Sequence, residues 1–209
     1  MEKKDLTPKI AEALSKKTER KFKQTVEVIF NFSGVNVEGE HKINLQIALP
    51  KGRGKDVEIG VFSDGDMNVR AKKLTKHALS KAELEAMTSD KRKMRTYANQ
   101  CYSFIAQADM MGLIGKSWGI VLGPRGKMPQ PVPPNANLDD VMQRIKNTVK
   151  VKTKKLPNVQ VPVGVEDMSA EDLAENIIAV YTAVERVIPK DNISSMFVKT
   201  TMGSAVRVW

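Results

Sequence analysis

The apolar positions change period several times along the chain, and each change predicts an element. Thr7 followed by Pro8 reads as an N-cap with a first-turn proline, and Ile10, Ala13 and Leu14 follow at helical spacing. A helix is therefore expected from Thr7 into the basic segment Lys16 to Lys23. From Thr25 the period falls to two. Val26, Val28, Phe30 and Phe32 face one way and Thr25, Glu27, Ile29 and Asn31 the other, which is a half-buried strand. After Gly34 and Gly39 a second alternating run sets Ile43, Leu45, Ile47 and Leu49 against Lys42, Asn44, Gln46 and Ala48, and a hairpin with the first strand is expected. Pro50 ends it. Lys51-Gly52-Arg53-Gly54-Lys55 is a short basic crossing.

Beyond the crossing, strands and helices alternate. A strand is predicted at Val57 to Phe62, helices near 69 to 79 and 80 to 100, and a strand at Ser103 to Gln107. Asp109 is placed to cap a short helix through Met110, Met111 and Leu113. Such alternation implies a parallel sheet with helices on its faces. Gly119 to Gly123 leads into the loop Gly123-Pro124-Arg125-Gly126-Lys127-Met128-Pro129, extended by Pro131, Pro133 and Pro134. A helix from Asn137 would carry Val141, Ile145 and Val149 inward, and Lys150 to Lys155 makes a second basic crossing before an extended segment, Val159 to Val165. Ser169 with Asp172 has capping-box spacing, and Leu173, Ile177, Tyr181, Val184 and Val187 give an amphipathic helix closed by Pro189. A strand, Ser194 to Thr201, a turn at Gly203 and a last short strand to Trp209 complete the chain.

Composition narrows the classes. In 209 residues, 41% apolar, there is enough material for a core, so disorder is not the main state. No apolar run of about 18 residues and no leader pattern in Met1 to Ser15 point to a cytoplasmic protein with no membrane partner. One cysteine, Cys101, and two histidines, His41 and His77, exclude an intramolecular disulfide and leave no metal set. Lys and Arg number 34 against 24 Asp and Glu, a formal +10. The surplus is +5 in residues 1 to 55, +5 in 56 to 150 and zero in 151 to 209. Diffuse charge of this kind attracts nucleic acid without naming a site.

The last long strand is more specific. Met196 and Val198 suit a core, whereas Ser195, Phe197, Lys199 and Thr201 form a mixed polar, aromatic and cationic row that leads into Met202 and Gly203. Periodicity alone favours an ordinary solvent-facing strand. The same row could serve RNA, with hydroxyls and glycine backbone for ribose and phosphate, an aromatic to stack and a lysine for charge.

Three segments carry a resemblance: Lys199-Thr200-Thr201-Met202-Gly203, Leu122 to Pro129, and Lys21-Phe22-Lys23-Gln24-Thr25-Val26-Glu27-Val28. Their order and spacing resemble the archaeal type of the L-one family of large-subunit ribosomal proteins over nearly the whole chain. The resemblance implies an α/β and α+β protein of two domains. Residues 1–55 with 151–209 would form a split β-α-β sandwich, with a Rossmann-like three-layer domain inserted at 56–150 and the basic crossings as a hinge. It implies a structural, non-catalytic protein, monomeric when free and without cofactor, that binds large-subunit rRNA at the mobile stalk near the tRNA exit site. Release of deacylated tRNA, contacts with other ribosomal components and repression of its own mRNA through a mimic site are implied with it. Carried over by motif, the RNA-binding set is Lys21, Phe22, Thr25, Glu27, Ser195, Thr201, Met202 and Gly203, with Arg125 and Lys127 as secondary RNA or interdomain contacts. Lys199 is a variable position, and the basic extension that some members carry after the last strand is absent.

Several residues keep a plainer reading. Phe22 fits a core anchor as well as a stacking residue, and Glu27 would repel RNA unless it accepts a hydrogen bond. A nucleotide-dependent enzyme built on the central unit, with a phosphate at Gly123 to Gly126, is the alternative function. The loop lacks a P-loop ending and no Gly-x-Gly-x-x-Gly occurs. His77 and Cys101 have no orienting third group for nucleophilic chemistry. The basic run Lys91 to Tyr97 reads first as a solvated helix face and second as a phosphate track.

Overall fold

The computed structural model describes residues 3–37, 39 and 41–209; Glu38, inside the expected Gly34–Gly39 loop, lies outside them. The chain divides into two compact units, residues 1–55 with 147–209 and residues 56–146.

In the first unit, α1 (Lys3–Ser15), β1 (Thr25–Phe32) and β2 (Asn44–Ala48) come before the crossing. After the return come β7 (Thr148–Lys152), β8 (Asn158–Val165), α8 (Ala170–Glu185), β9 (Ile193–Thr200) and β10 (Val206–Arg207). An antiparallel sheet runs in the order β10-β9-β1-β8. Its inner face, with Val26, Val28, Phe30, Val161, Met196 and Val198, shares one core with Leu6 and Ile10 of α1 and Leu173, Ile177 and Val184 of α8. The alternation read in β1 and β9 is the alternation observed, because one face is buried and the other is not.

Four expectations fail here. Helix α1 starts upstream of Thr7, so Pro8 lies inside it. Burial of Leu6 carries the helix back, the Thr7 hydroxyl donates to the Lys3 carbonyl (3.0 Å), and Pro8 deletes only a bond to exposed Lys4. No hairpin joins β1 and β2. Strand β2 pairs antiparallel with β7, Ile47 opposite Val149 and Leu45 opposite Val151. Val149 is thus a strand residue rather than the end of a helix, and Lys150–Lys152 belong to β7 instead of a free crossing. β-branched Val149 and Val151, buried on alternate positions, favour the strand.

The second unit is doubly wound. Parallel strands run in the order β4 (Ala78–Leu79), β3 (Ile59–Phe62), β5 (Ser103–Gln107), β6 (Gln130–Val132). One face packs Phe62, Phe104 and Ala106 against α3 (Lys81–Thr88), α4 (Lys91–Gln100), α5 (Met111–Ser117) and α6 (Gly119–Leu122) through Leu84, Met94, Ile114 and Leu122, with Trp118 between the last two helices. The other packs Ile59, Val61 and Ile105 against α2 (Gly65–Leu74) and α7 (Leu138–Lys146). The single helix expected over 80 to 100 is two, because Asp90 caps α4 with bonds from the Arg92 and Lys93 amides. The proline-rich stretch holds edge strand β6, where Pro131 is tolerated.

Candidate nucleic-acid interface

The outer face of the first unit's sheet is built from the odd positions of β1 and β9. Cross-strand register sets Arg207, Phe197, Ile29 and Gln160 in one row and Lys199, Glu27 and Pro162 in the next. Asn31 and Ser195 pair beyond them, Asn31 Nδ2 donating to Ser195 Oγ at 3.0 Å. Apart from exposed Gln160 and Arg207, these residues are half-buried, since each shields its neighbours without a covering layer.

At the other end of the strands, three segments are knitted together. Thr201 Oγ1 donates to the Thr25 carbonyl (3.2 Å) and accepts the Thr25 amide (3.1 Å), and the Thr201 amide donates to the same carbonyl (3.0 Å). Gln24, 1% exposed, is the hub. Its Oε1 accepts the Met202 amide (3.0 Å), its Nε2 donates to the Thr18 carbonyl (2.7 Å), and its own amide donates to Glu166 Oε1 (3.1 Å). Lys17 pairs with the second Glu166 oxygen at 3.3 Å, and Lys23 with Asp167 at 2.6 Å. Lys199 Nζ donates to the Thr201 carbonyl (3.0 Å). Gly203 sits where a Cβ would collide with the Thr200 hydroxyl and crowd the Lys16 carbonyl, so the turn lies directly on the segment leaving α1.

This scaffold leaves two large apolar side chains in solvent. Phe22 is 52% exposed and Met202 50% exposed, so Phe22 is no core anchor. Lys21 is exposed beside Phe22, and Glu27 stands opposite Lys199 on β9. Lys21, Phe22, Thr25, Thr201, Met202 and Gly203 therefore lie at one end of the sheet, with Glu27 one step along it. Ser195 does not join them; it lies roughly 20 Å along the strand from Thr201. The sequence reading missed Gln24, whose signal was a polar residue wedged directly before a strand.

Arg125 and Lys127 have local partners. Lys127 Nζ donates to the Ala98 and Cys101 carbonyls (2.8 and 2.6 Å) at the end of α4, and desolvation lowers its pKa. Arg125 reaches Asn99 Oδ1 (3.3 Å) and the Val121 carbonyl (3.1 Å). The Gly123–Met128 loop is thus pinned to helix ends. Cys101 is buried, and burial pushes its thiol up to about 12.

In a doubly wound sheet, ligands enter where strand order reverses, here beyond β3 and β5. The cavity there, about 340 Å³, is lined by Asp64, Glu85 and Asp109 with Lys81, and the Gln107 amide bonds the Asp64 amide and the Asp109 carboxylate. Three carboxylates against one lysine disfavour a phosphate. The nucleotide alternative loses both its loop and its crevice. Among the described residues no cluster fits a metal ion, and no helix is long and apolar enough to cross a membrane.

A model of the ribosomal protein L1p/L10e family matches residues 14–204. The chain belongs to this family. It is 45% identical over 203 residues to the large ribosomal subunit protein uL1 of Methanobrevibacter smithii, covering 95% of this chain and 96% of the relative. Identity to the Methanothermobacter thermautotrophicus uL1 is 43% over 207 residues, with 95% and 98% covered. For the Thermoplasma acidophilum uL1 it is 38% over 207 residues, with 98% and 95% covered. Membership of this ribosomal L1 family agrees with the resemblance carried by the three sequence segments. It makes the chain a ribosomal protein rather than an enzyme.

Proposed function

We propose that this protein, a constituent of the large ribosomal subunit, binds large-subunit rRNA at the mobile stalk through the end of the β1/β9 sheet. The observation that carries the reading is the pair of half-exposed apolar side chains, Phe22 and Met202, on a buried hydrogen-bonded frame. Isolated surface methionine and phenylalanine are common, but two on one rigid frame, beside Lys21 and a glycine turn, suit a base and its ribose. Thr25, Thr201 and Gly203 hold the geometry, Glu27 accepts from a base amino or 2′-hydroxyl group, and Ser195 contributes at the far end of the same face. Arg125 and Lys127 act within the second unit. The same surface takes a mimic site on the protein's own mRNA, and motion at the crossings accompanies release of deacylated tRNA from the exit site.

The test is the affinity of wild type and Met202→Ala for a stalk rRNA fragment and for an unrelated duplex, each at two salt concentrations. The variant should lose roughly tenfold or more on the fragment, the scale of one stacked or buried contact, and nothing on the duplex. Equal loss on both, or none, contradicts the assignment.

A further inference from the structure

The chain segment that leaves the first unit is itself held against the sheet. Lys51 donates its amide to Asn176 Oδ1 (3.0 Å), and its ammonium lies 3.4 Å from both Asp172 and Glu175 of α8. Asn176 Nδ2 donates to the Gly52 carbonyl (2.9 Å) and to the Val163 carbonyl (2.8 Å). Val163 is the extra residue of an irregularity in β8, where Val26 faces Gly164 but Glu27 faces Pro162. A bulge of this kind bends the strand and opens its surface. Buried Asn176 therefore ties one bulge to one crossing.

Gly52 and Gly54 both have φ of +66°, a region that costs other residues strain, and a Cβ at Gly54 would strike Val165 and Met168. The alternation Lys-Gly-Arg-Gly-Lys thus fixes a path rather than loosening it. The result is a notch lined by Arg53, Lys55, Thr25, Pro162, Gly164 and Val165. Two cations are thus placed at the β8 edge next to Thr25.

We propose that Arg53 and Lys55 form a phosphate-binding site for the RNA backbone, adjoining the Thr25 end of the sheet. The inference rests on the proposed RNA-binding function and adds contacts that the sequence motifs did not assign. Phosphate contacts position and base contacts specify, so this site should supply affinity and register, with Phe22 and Met202 supplying selectivity. It also places an RNA contact on the segment that leads into the second unit.

The experiment titrates the full-length wild type, Arg53→Gln/Lys55→Gln, Arg53→Lys and a control pair in α4, Lys91→Gln/Arg92→Gln, with the stalk rRNA fragment over a series of salt concentrations. Met202→Ala is measured beside them, and thermal unfolding confirms that each variant is folded. The Arg53→Gln/Lys55→Gln protein should bind roughly tenfold more weakly, with the slope of log K against log salt shallower by about 1.5, close to two phosphate contacts. Arg53→Lys and the α4 pair should keep the wild-type slope. An unchanged slope in Arg53→Gln/Lys55→Gln, or an equal fall in the α4 pair, overturns the site. If Met202→Ala loses selectivity while Arg53→Gln/Lys55→Gln keeps its slope, this inference alone fails. If wild type prefers the fragment no more than a duplex, the function fails first and the inference with it.

Discussion

Thr201 closes the β1/β9 ladder on Thr25 through its side chain, its hydroxyl 3.1 Å from the Thr25 nitrogen and 3.2 Å from the Thr25 oxygen. Thr201, proposed to lie at the RNA interface, therefore has a prior job in the fold. Thr201→Val, isosteric but without the hydroxyl, should cost about 1–3 kcal/mol because it strands the Thr25 amide. Thr201→Ser should cost far less. Urea unfolding of both variants measures this, and equal stability of the two would remove the bond from the account.

Gln24 offers a sharper separation of frame from contact. It is almost wholly buried, yet it links Thr18, Met202 and Glu166. Gln24→Leu should destabilise by about 1–3 kcal/mol through the stranded Met202 amide. It should also weaken binding to the stalk fragment by releasing the Met202 turn from the 18–24 segment. A variant destabilised by that amount with wild-type RNA affinity would show that the frame does not position the contact.

The strand reading of this face was legible because period-two alternation reports directly on a sheet with one buried side, and β1 and β9 each have one. Strand β2 was equally legible as a strand but not in its partner. Its mate β7 lies beyond the whole inserted unit, and pairing over that distance is set by the shared core of Ile47, Val149 and Val151, which no local pattern encodes. The caps at Ser169 and Asp90 differ in the same way: the first stood beside a clear apolar stripe, the second directly before the basic run that opens at Lys91. Of the interface, the exposed motif residues were visible by resemblance. Gln24, Asn176 and the Arg53–Lys55 notch were not, since a polar residue becomes a hub only when distant carbonyls converge on it.

Acid should loosen the α8 end of the first unit. The Asp172 carboxyl is held below its ordinary 3.8 chiefly by the Ser169 hydroxyl, then by Lys51. Glu175 is held below its ordinary 4.5 chiefly by Lys3, with Lys51 adding to it. Depressed folded values mean that the stabilisation is complete above the unfolded values and is lost as pH falls through the folded ones. The thermal midpoint of wild type should thus fall more steeply below 4.5 than that of Asp172→Asn/Glu175→Gln. Parallel curves would contradict these pairings.

Cys101 should report on the second unit. Its thiol is buried and its pKa is pushed up to about 12, so the nucleophilic thiolate is scarce at neutral pH. Labelling by a thiol reagent should be slower in the native protein than in denaturant by roughly a thousandfold or more. Rapid native labelling would show that the α4 end is open.

The central claim is that the Phe22–Met202 end of the sheet touches RNA, and photocrosslinking of the full-length protein to the stalk rRNA fragment, with the adducts mapped by mass spectrometry, tests it most directly. The account predicts adducts in the peptides that contain Phe22 and Met202, abolished by excess unlabelled fragment and not by unrelated duplex. Adducts confined to residues 56–146, or competed equally by any duplex, would contradict it.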